Sequence, residues 1–341
     1  MRSYVEELVV AWRQAFPDDE LLLLGYDYLR ELEGPGVEAR VGPEGAWARA
    51  WGQWVGAGRA ARRWGADALV SSSSVVSPLF PRARRVAVVH DWRHRVSPGE
   101  FGRGQRLYRR TWRWSLQHAG TVVAISDKTL RETRAFAPRA RAVLVRSGRD
   151  QARRWPHAER PGTADGKPVV VTFGHFPNKR PELVVDAVAR LGTPVRLVVL
   201  GARGAYADEL AARARAAGLD GVELPGFVDA ATYQALVATS DVVVLASSDE
   251  GFGLPVAEAG WFGVPCVVTD DGGLPEIHGD RVLVAAPDAT ALAERVAEAL
   301  RTGRRPGPST EVETWSATVQ GIRAALAGDR AGLAEAAGGP R

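Results

Sequence analysis

Short apolar runs rich in β-branched residues alternate with stretches of helical hydrophobic periodicity along the whole chain. The pattern predicts strands at 21–25, 68–71, 85–90, 121–125, 142–146, 168–174, 195–201, 222–224, 241–246, 265–269 and 282–285. It predicts helices at 3–16, 47–64, 104–118, 128–136, 180–191, 205–218, 230–239, 254–262, 288–302 and 312–327. Such alternation is typical of parallel sheets covered by helices on both faces, so we expect an α/β fold.

A stretch rich in Arg, Pro and Gly at 151–167 separates the predicted strands into two sets and is interpreted as a linker. We therefore expect two Rossmann-like, doubly wound domains, at 1–150 and at 168–310. The last predicted helix, at 311–327, is expected to pack back toward the first domain, and the Ala- and Gly-rich tail at 328–341 to be disordered. Ligands of such sheets bind beyond the carboxyl ends of the strands, which predicts a site in a cleft between the domains.

Composition is that of a globular protein: 341 residues, 45% of them hydrophobic and 25% charged. The apolar runs are far shorter than the roughly 18 residues that cross a bilayer. The first seven residues include two acids and no apolar stretch suited to export, and the only cysteine, Cys266, cannot form an internal disulfide. We expect a cytoplasmic protein.

The net charge of +4 conceals an asymmetry between the two halves of the chain. Residues 1–165 hold 28 Lys and Arg against 18 Asp and Glu, a balance of +10, while residues 166–341 hold 16 against 22, a balance of −6. The excess is concentrated at 82–160 and includes four arginines of one predicted helix, Arg106, Arg109, Arg110 and Arg113. One interpretation is an ordinary solvated face; the other is a face for an anionic acceptor or an anionic membrane surface. Nucleic acid is not expected, since no nucleic-acid-binding motif accompanies the charge.

The segment from Glu250 to Glu258, Glu-Gly-Phe-Gly-Leu-Pro-Val-Ala-Glu, follows a predicted buried strand. Its two glycines let the backbone approach a ligand, and Pro255 suits the start of a helix whose N–H groups attract an anion. The two carboxylates would flank that anion and accept hydrogen bonds from neighbouring hydroxyls. This geometry suits a sugar, a phosphate and a ribose in sequence; the alternative is an acidic loop followed by a capped helix.

Two further strand ends carry polar residues. The segment at 170–182 places His175 and Lys179 after a strand, where Lys179 could act as a point charge on a diphosphate and His175 as a titratable donor. The alternative is that Lys179 and Arg180 are ordinary solvated residues. His90 ends another predicted strand, where a lone histidine is more often structural than catalytic. The sequence shows neither a metal-ligand spacing nor the Gly-x-Ser-x-Gly turn of a serine hydrolase.

The spacing of Glu250 and Glu258 around Gly-Phe-Gly-Leu-Pro resembles the signature of the family-four retaining glycosyltransferases of the GT-B fold. Stretches of the second half that resemble the family's donor domain, in order, lie at 198–201, 224–229, 240–244, 259–265 and 272–276. Weaker similarities in the first half lie at 67–81, 89–91, 124–127 and 145–148.

The resemblance implies that a hexose is transferred with retention from a nucleotide-sugar donor to a hydroxyl of a glycan, a lipid-linked acceptor or a small molecule. Glu250, His90 and Lys179 are the implied catalytic residues. Implied donor-binding residues are His175, Lys179, Gly226, Phe227, Val228, Glu250, Gly251, Phe252, Gly253, Leu254 and Glu258. Implied acceptor-side residues are Ser72, His90, Asp91 and Ser126. No metal and no other cofactor is expected, because the departing diphosphate helps to deprotonate the acceptor and such enzymes commonly dispense with a metal ion.

Two departures from the family pattern affect these expectations. His175 stands where many relatives have arginine, which predicts a weaker or pH-dependent phosphate contact. Residues 2–8 resemble the helix that normally follows the first strand and its Gly-rich loop, so the first domain is expected to lack that strand and to have uncovered strand edges. Either a start some 15 to 25 residues upstream, estimated from a typical strand and loop, or a partner subunit would then complete the sheet.

Two other functions remain open from the sequence. One is a sugar-nucleotide-binding protein without turnover, which the missing segment would favour. The other is a GT-B relative with different chemistry, either a sugar phosphorylase or a nucleotide-sugar epimerase.

Overall fold

The protein is described by a computed structural model, which covers residues 2–42, 44–156, 166–219, 221–304, 313–329 and 332–333. The chain divides into two units: Met1–Gly148 together with Glu313–Arg341, and Arg149–Val312. Most of the expected linker and most of the expected disordered tail lie outside the described residues.

The strands of the first unit are β1 (Leu21–Gly25), β2 (Val37–Val41), β3 (Leu69–Ser71), β4 (Arg85–Val89), β5 (Thr121–Ala124) and β6 (Ala142–Leu144). Those of the second are β7 (Val169–Phe173), β8 (Arg196–Leu200), β9 (Val222–Gly226), β10 (Val242–Leu245), β11 (Cys266–Thr269) and β12 (Val282–Ala285). The helices, in chain order, are α1 (Arg2–Ala15), α2 (Ala46–Trp51), α3 (Ala57–Trp64), α4 (Arg93–Val96), α5 (Arg103–His118), α6 (Asp127–Phe136), α7 (Pro181–Val188), α8 (Gly204–Ala216), α9 (Ala230–Thr239), α10 (Leu254–Trp261), α11 (Leu274–His278), α12 (Ala289–Thr302) and α13 (Trp315–Ala327).

The second unit contains one parallel six-stranded sheet in the order β12-β11-β10-β7-β8-β9. β7 and β10 are buried along their whole length and consist almost entirely of apolar residues, as strands covered by helices on both faces must be. One face packs against Val184 and Val296 of α7 and α12. The other packs against Val237 and Val256 of α9 and α10. The predicted doubly wound α/β architecture is confirmed here.

The first unit is also parallel, but its strands form two separate sheets: β1-β2, and β3-β4-β5-β6. Among the described residues, β1 bonds only to β2 and β3 only to β4, so each has an edge without a strand partner. The residues of β1 are half-buried, whereas every residue of β4 is buried. Within the described ranges β2 and β6 likewise each have an edge without a strand partner, and the expectation that a first strand is missing from this unit stays a prediction.

Helix α13 belongs to the first unit although it follows the second in sequence. Its first residue, Trp315, is buried and contacts the ring of Tyr4 in α1, with centroids 5.2 Å apart and the planes steeply inclined. Gly148 must be glycine here, because an added Cβ would lie 2.4 Å from the backbone nitrogen of Trp315. The two ends of the described chain thus share one core.

Several elements differ from the sequence prediction, which lacks the short helices α4 and α11. Strand β2 is missing from it, because its sequence, Val-Glu-Ala-Arg-Val, is short and half polar. The single helix predicted at 47–64 is interrupted by a π-helical turn at Gly52–Gly56, where two glycines lower the local helix propensity. The helix predicted to begin at residue 180 begins at Pro181, because Arg180 has a left-handed backbone with a φ of 46°.

Candidate active site

Two adjacent strands of the six-stranded sheet have their carboxyl ends at the same edge of that sheet. β7 and β10 are neighbours, with Val170 paired to Val242, and the connections that follow them lead to opposite sides of the sheet. In doubly wound sheets a crevice opens at this point, because consecutive helices cover different faces. The loop after β7 carries His175 and Lys179, and the loop after β10 carries Glu250. The topology therefore brings together the residues that the sequence singled out.

Lys179 and Glu250 form an ion pair across these two loops. Lys179 ends a one-turn 3₁₀ helix, Pro177–Lys179, and its Nζ donates to Oε1 of Glu250. The two side chains are only 9% and 13% exposed, so each charge needs a partner to offset its loss of hydration. The interpretation of Lys179 as an ordinary solvated residue is wrong.

Asn178 and Arg180 join the same loops on either side of Lys179. Asn178 Nδ2 donates to the carbonyl of Asp249 at 3.0 Å, and the N–H of Ser248 donates to the carbonyl of Asn178 at 2.9 Å. Arg180 donates to the carbonyl of Ala246 at 2.6 Å and holds both carboxylate oxygens of Asp271, at 2.7 and 2.8 Å. Since these partners follow β10 and β11, Arg180 ties three strand ends together. Its interpretation as a solvated residue is also wrong.

The loop between Glu250 and α10 depends on its glycines. Gly253 has a φ of 77°, and an added Cβ would lie 2.4 Å from Cδ2 of Leu274. Gly251 precedes Phe252, whose side chain is buried, and α10 begins at Leu254. The first N–H groups of an α-helix lack intrahelical acceptors and carry the positive end of its dipole. The loop can therefore present backbone donors to an anion beside the Lys179–Glu250 pair.

A buried arginine and a buried histidine hold the loop between Glu250 and α10 through hydrogen bonds. Neither residue was singled out from the sequence. Arg149 donates to Nδ1 of His278 at 2.9 Å, and Nε2–H of His278 donates to the carbonyl of Phe252 at 2.8 Å. Burial and, after it, the charge of Arg149 lower the pKa of His278 to about 3. A neutral imidazole with a single tautomer satisfies both bonds. No local signal could reveal this contact, since Arg149 and His278 are 129 positions apart.

Glu258 lies one turn into α10 and is 4% exposed. Its Oε2 accepts from the hydroxyl of Tyr233 at 2.5 Å, and its Oε1 accepts from Nε2 of Gln151 at 3.2 Å. Burial and, after it, the charge of Glu258 raise the pKa of Tyr233, so the phenol stays protonated and donates. A carboxylate has about four acceptor positions, so it can take part in more than two hydrogen bonds. Sequence reasoning missed both Tyr233 and Gln151.

His175, Gly226, Phe227 and Val228 lie where β7, β8 and β9 end. The rings of His175 and Phe227 are 6.3 Å apart, and Phe227 is exposed. The guanidinium of Arg203, which sequence reasoning also missed, lies 4.1 Å from the Phe227 ring centroid. Gly226 takes a φ of 73°, and Val228 packs against the core. An exposed aromatic ring backed by a guanidinium offers a flat surface on which a base can stack.

The implied acceptor-side residues lie in the first unit. His90 follows β4, and burial lowers its pKa to about 4, so its ring is neutral at pH 7. Its Nε2–H donates to the carbonyl of Ser72 at 3.0 Å, and the ring of Tyr4 contacts it edge-on at 4.6 Å. The carboxylate of Asp91 accepts from the N–H of Arg93 at 3.1 Å. His90 is thus bonded to Ser72, and with Nε2 carrying the proton, Nδ1 of His90 is an acceptor.

Ser126 has a structural task in the first unit. It is the N-cap of α6, and its Oγ accepts from the N–H of Thr129 at 3.2 Å and bonds the Thr129 hydroxyl at 2.9 Å. The residue is 4% exposed. The acceptor-side role implied for Ser126 stays a prediction.

Within the described ranges, no group of three or more His, Cys, Asp or Glu side chains is placed to hold a metal ion. Nor do these ranges contain a helix with the length and apolar character needed to cross a membrane.

Comparison with known proteins identifies the fold and the family. The fold is GT-B: the chain superposes on Anabaena HepE, solved in complex with UDP and glucose, with a TM-score of 0.68 and 18% identity over 97% of this chain and 95% of that one. Residues 153–307 match the family described as glycosyl transferases group 1, and residues 1–148 match the glycosyl transferase 4-like domain. The chain belongs to the group 1 glycosyltransferases.

Curated relatives match only in part. The chain is 32% identical over 146 residues to N-acetyl-alpha-D-glucosaminyl L-malate synthase of Bacillus anthracis, which is 41% of this chain and 38% of that protein. It is 31% identical over 199 residues to glycogen synthase of Mycobacterium tuberculosis, 55% of this chain and 47% of that protein. The chain thus spans less than half the length of these relatives.

Proposed function

We propose that the protein is a retaining glycosyltransferase that moves a hexose from a nucleotide-diphosphate sugar to a hydroxyl of a glycan, a lipid-linked acceptor or a small molecule. The observation that carries the proposal is the buried Lys179–Glu250 pair at the switch point of the second sheet, beside the start of α10. A buried cation, a helix N-terminus and a carboxylate side by side match a diphosphate joined to a sugar. Membership of the group 1 family and the UDP-bound HepE neighbour support this reading.

Each residue then has a defined task. Lys179 turns from Glu250 to the diphosphate, with His175 as a second donor, and the N–H groups of the loop from Gly251 to Leu254 complete the anion site. Glu250 accepts from hydroxyls of the transferred sugar. Glu258, held by Tyr233, accepts from the ribose hydroxyls, and the base stacks near Phe227, between Gly226 and Val228.

The transfer breaks the bond between the anomeric carbon and the diphosphate oxygen, and it forms the bond to the acceptor oxygen on the same face of the sugar. The proton of the acceptor hydroxyl passes to the departing diphosphate. His90, with Ser72 and Asp91, orients the acceptor through the unprotonated Nδ1. Lys179 and the start of α10 supply the positive charge that the leaving group needs, so the proposal includes no metal and no other cofactor.

We further propose that the protein works in the cytoplasm, peripherally at the inner face of the membrane. The basic excess of the first half of the sequence supports that location, since anionic lipid attracts each nearby arginine by about 1 kcal/mol.

The test begins with donor identity. UDP-, GDP- and dTDP-sugars are screened by thermal shift, where a ligand at 100 times its Kd stabilises the fold by about 2.7 kcal/mol. Transfer with the best donor is then followed by NMR of the product, with and without free phosphate. Transfer with retained anomeric configuration supports the proposal. Phosphate-dependent turnover, isomerised donor, inverted product, or binding without turnover would each contradict it.

A further inference from the structure

One face of α5 is both strongly basic and apolar. Residues exposed along it, at spacings of three and four, are Arg103, Arg106, Leu107, Arg110, Arg113 and Trp114. This spacing places them on one side of the helix, away from the buried Ser115 and Leu116. No acidic residue occurs in the sequence from 101 to 126. A cationic helix face with apolar residues between the charges therefore lies open to solvent.

A second helical segment continues this face with tryptophan. In α2, Trp47 and Trp51 are one turn apart and are 90% and 62% exposed. The segment packs directly beside α5: the Tyr108 hydroxyl donates to Gln53 at 2.5 Å, and the rings of Trp54 and Trp114 are 5.6 Å apart. We name the exposed residues of the two helices the arginine–tryptophan face. Its members are Trp47, Trp51, Arg103, Arg106, Leu107, Arg110, Arg113 and Trp114.

The arginines of this face have no carboxylate partner among the described residues. Two exposed arginines of the second unit do have such partners: Arg213 pairs with Asp186 at 2.5 Å, and Arg295 with Glu298 at 2.6 Å. Large apolar side chains exposed as fully as Trp47 are uncommon on the surface of a protein that contacts only water. Unpaired cations and exposed indoles together indicate a surface that meets a partner.

We infer that the arginine–tryptophan face docks on the surface of an anionic membrane. Arginines are attracted to anionic headgroups, while indole rings and Leu107 enter the boundary between headgroups and acyl chains, where tryptophan is enriched. An acidic polypeptide or a nucleic acid would satisfy the charges, but neither supplies an apolar layer for Trp47, Trp51 and Leu107 together. The inference rests on the proposed function only in that a lipid-linked acceptor would lie at this surface; the docking itself requires no turnover.

Co-sedimentation with vesicles tests the docking. The full chain is mixed with vesicles of phosphatidylcholine alone or of phosphatidylcholine with phosphatidylglycerol, at low and at physiological salt. We expect binding to the anionic vesicles only, weakening as salt screens charges beyond about 8 Å. The variant R106Q/R110Q/R113Q should bind about 100-fold more weakly, which corresponds to about 1 kcal/mol for each arginine.

A matched control separates the face from net charge. The variant R190Q/R215Q/R301Q removes three exposed arginines of the second unit and changes the net charge by the same amount. It should bind anionic vesicles like the unmodified chain. The variant W47A/W51A keeps every charge and should bind about tenfold more weakly, because less apolar surface enters the bilayer.

Several results would overturn the inference. They are equal binding to neutral vesicles, equal losses in the two triple-arginine variants, or unchanged binding of W47A/W51A. Binding to polyglutamate or to a DNA oligonucleotide without binding to anionic vesicles would assign the face to another partner. Thermal melting and the donor thermal shift of each variant show that it is folded, so a loss of vesicle binding with intact donor binding concerns this face alone.

Discussion

The two units use the same parallel construction, but they hold their polar residues differently. In the second unit a continuous sheet places the ends of β7, β10 and β11 side by side, and charged side chains join the loops: Lys179 to Glu250, and Arg180 to Asp271. In the first unit the strands are divided between two sheets, and His90 and Ser126 bond mainly to backbone groups. The comparison teaches that neighbouring strand ends can assemble a charged site from distant loops, as after β7 and β10, or can serve the fold, as after β4 and β5.

Glu250→Gln should give the largest effect on activity. The amide keeps the size of the side chain but removes the charge that meets the sugar, so we expect transfer per folded molecule to fall about 10²- to 10³-fold. Because Lys179 loses its buried partner, the unfolding free energy should also fall, by about 3 kcal/mol. Steady-state kinetics and thermal melting check this. Glu223→Gln is the control, since it breaks the Arg196–Glu223 pair of the same unit outside the site and should leave transfer unchanged. Equal rates for both variants would remove Glu250 from the site.

Substitution of glycines by alanine tests whether loops in the two units tolerate an added Cβ equally. A Cβ at Gly272 would lie 1.9 Å from the carbonyl oxygen of Ser247, and one at Gly120 would lie 2.1 Å from that of Arg82. Gly272→Ala and Gly120→Ala should each cost about 3 kcal/mol of unfolding free energy, because backbone must move. Gly260→Ala, in open space on α10, should instead stabilise by about 0.5–1 kcal/mol.

The two costly glycine variants should differ in function. Gly272→Ala moves the loop that follows β11 and should weaken donor binding, whereas Gly120→Ala should leave donor binding unchanged. Denaturation curves give the stability, and thermal shift with the donor gives the binding. Similar donor affinity in both variants would show that the loop after β11 does not position the donor site.

His278 should make the second unit sensitive to acid. Its pKa is about 3 in the folded chain and about 6.5 in the unfolded chain. Between these two pH values the unfolded chain binds a proton on His278 that the folded chain does not bind. Stability is therefore lost as the pH falls from about 6.5 toward 3, by about 2 kcal/mol over the first 1.5 pH units. His278→Gln can bond both Arg149 and Phe252 without titrating, and it should flatten this dependence. Denaturation at pH 7 and pH 5 measures the change; an unaltered slope would contradict the assignment.

Ser126→Ala should have the smallest effect. Loss of the N-cap oxygen is expected to cost about 1 kcal/mol of unfolding free energy. Transfer per folded molecule should stay the same, since the hydroxyl is already used by Thr129. A large loss of transfer without loss of stability would instead place Ser126 beside the acceptor.

The sequence predicts the fold well because most of the strands and helices carry their own hydrophobic period, although β2, α4 and α11 were not predicted. Lys179 and Glu250 could be found for a similar reason: each follows a buried strand, and parallel strands end at the same edge of their sheet. The residues that hold these site residues in position could not be predicted in this way. Arg149, Gln151 and Tyr233 meet their partners only through tertiary packing, and nothing near them in the sequence marks the contact. Arg203 was missed because its partner ring, Phe227, follows a different strand.

The Lys179–Glu250 pair also bears on how the enzyme would tell its donor from its product. In the proposed mechanism a nucleotide sugar must break the pair, and it offers each residue a replacement: phosphate oxygens for Lys179 and sugar hydroxyls for Glu250. A nucleoside diphosphate without a sugar competes for Lys179 but leaves the buried carboxylate of Glu250 without its cation, which costs free energy. Re-forming of the Lys179–Glu250 pair would therefore favour release of the nucleoside diphosphate product. The site would then return to its unliganded, ion-paired state after each transfer.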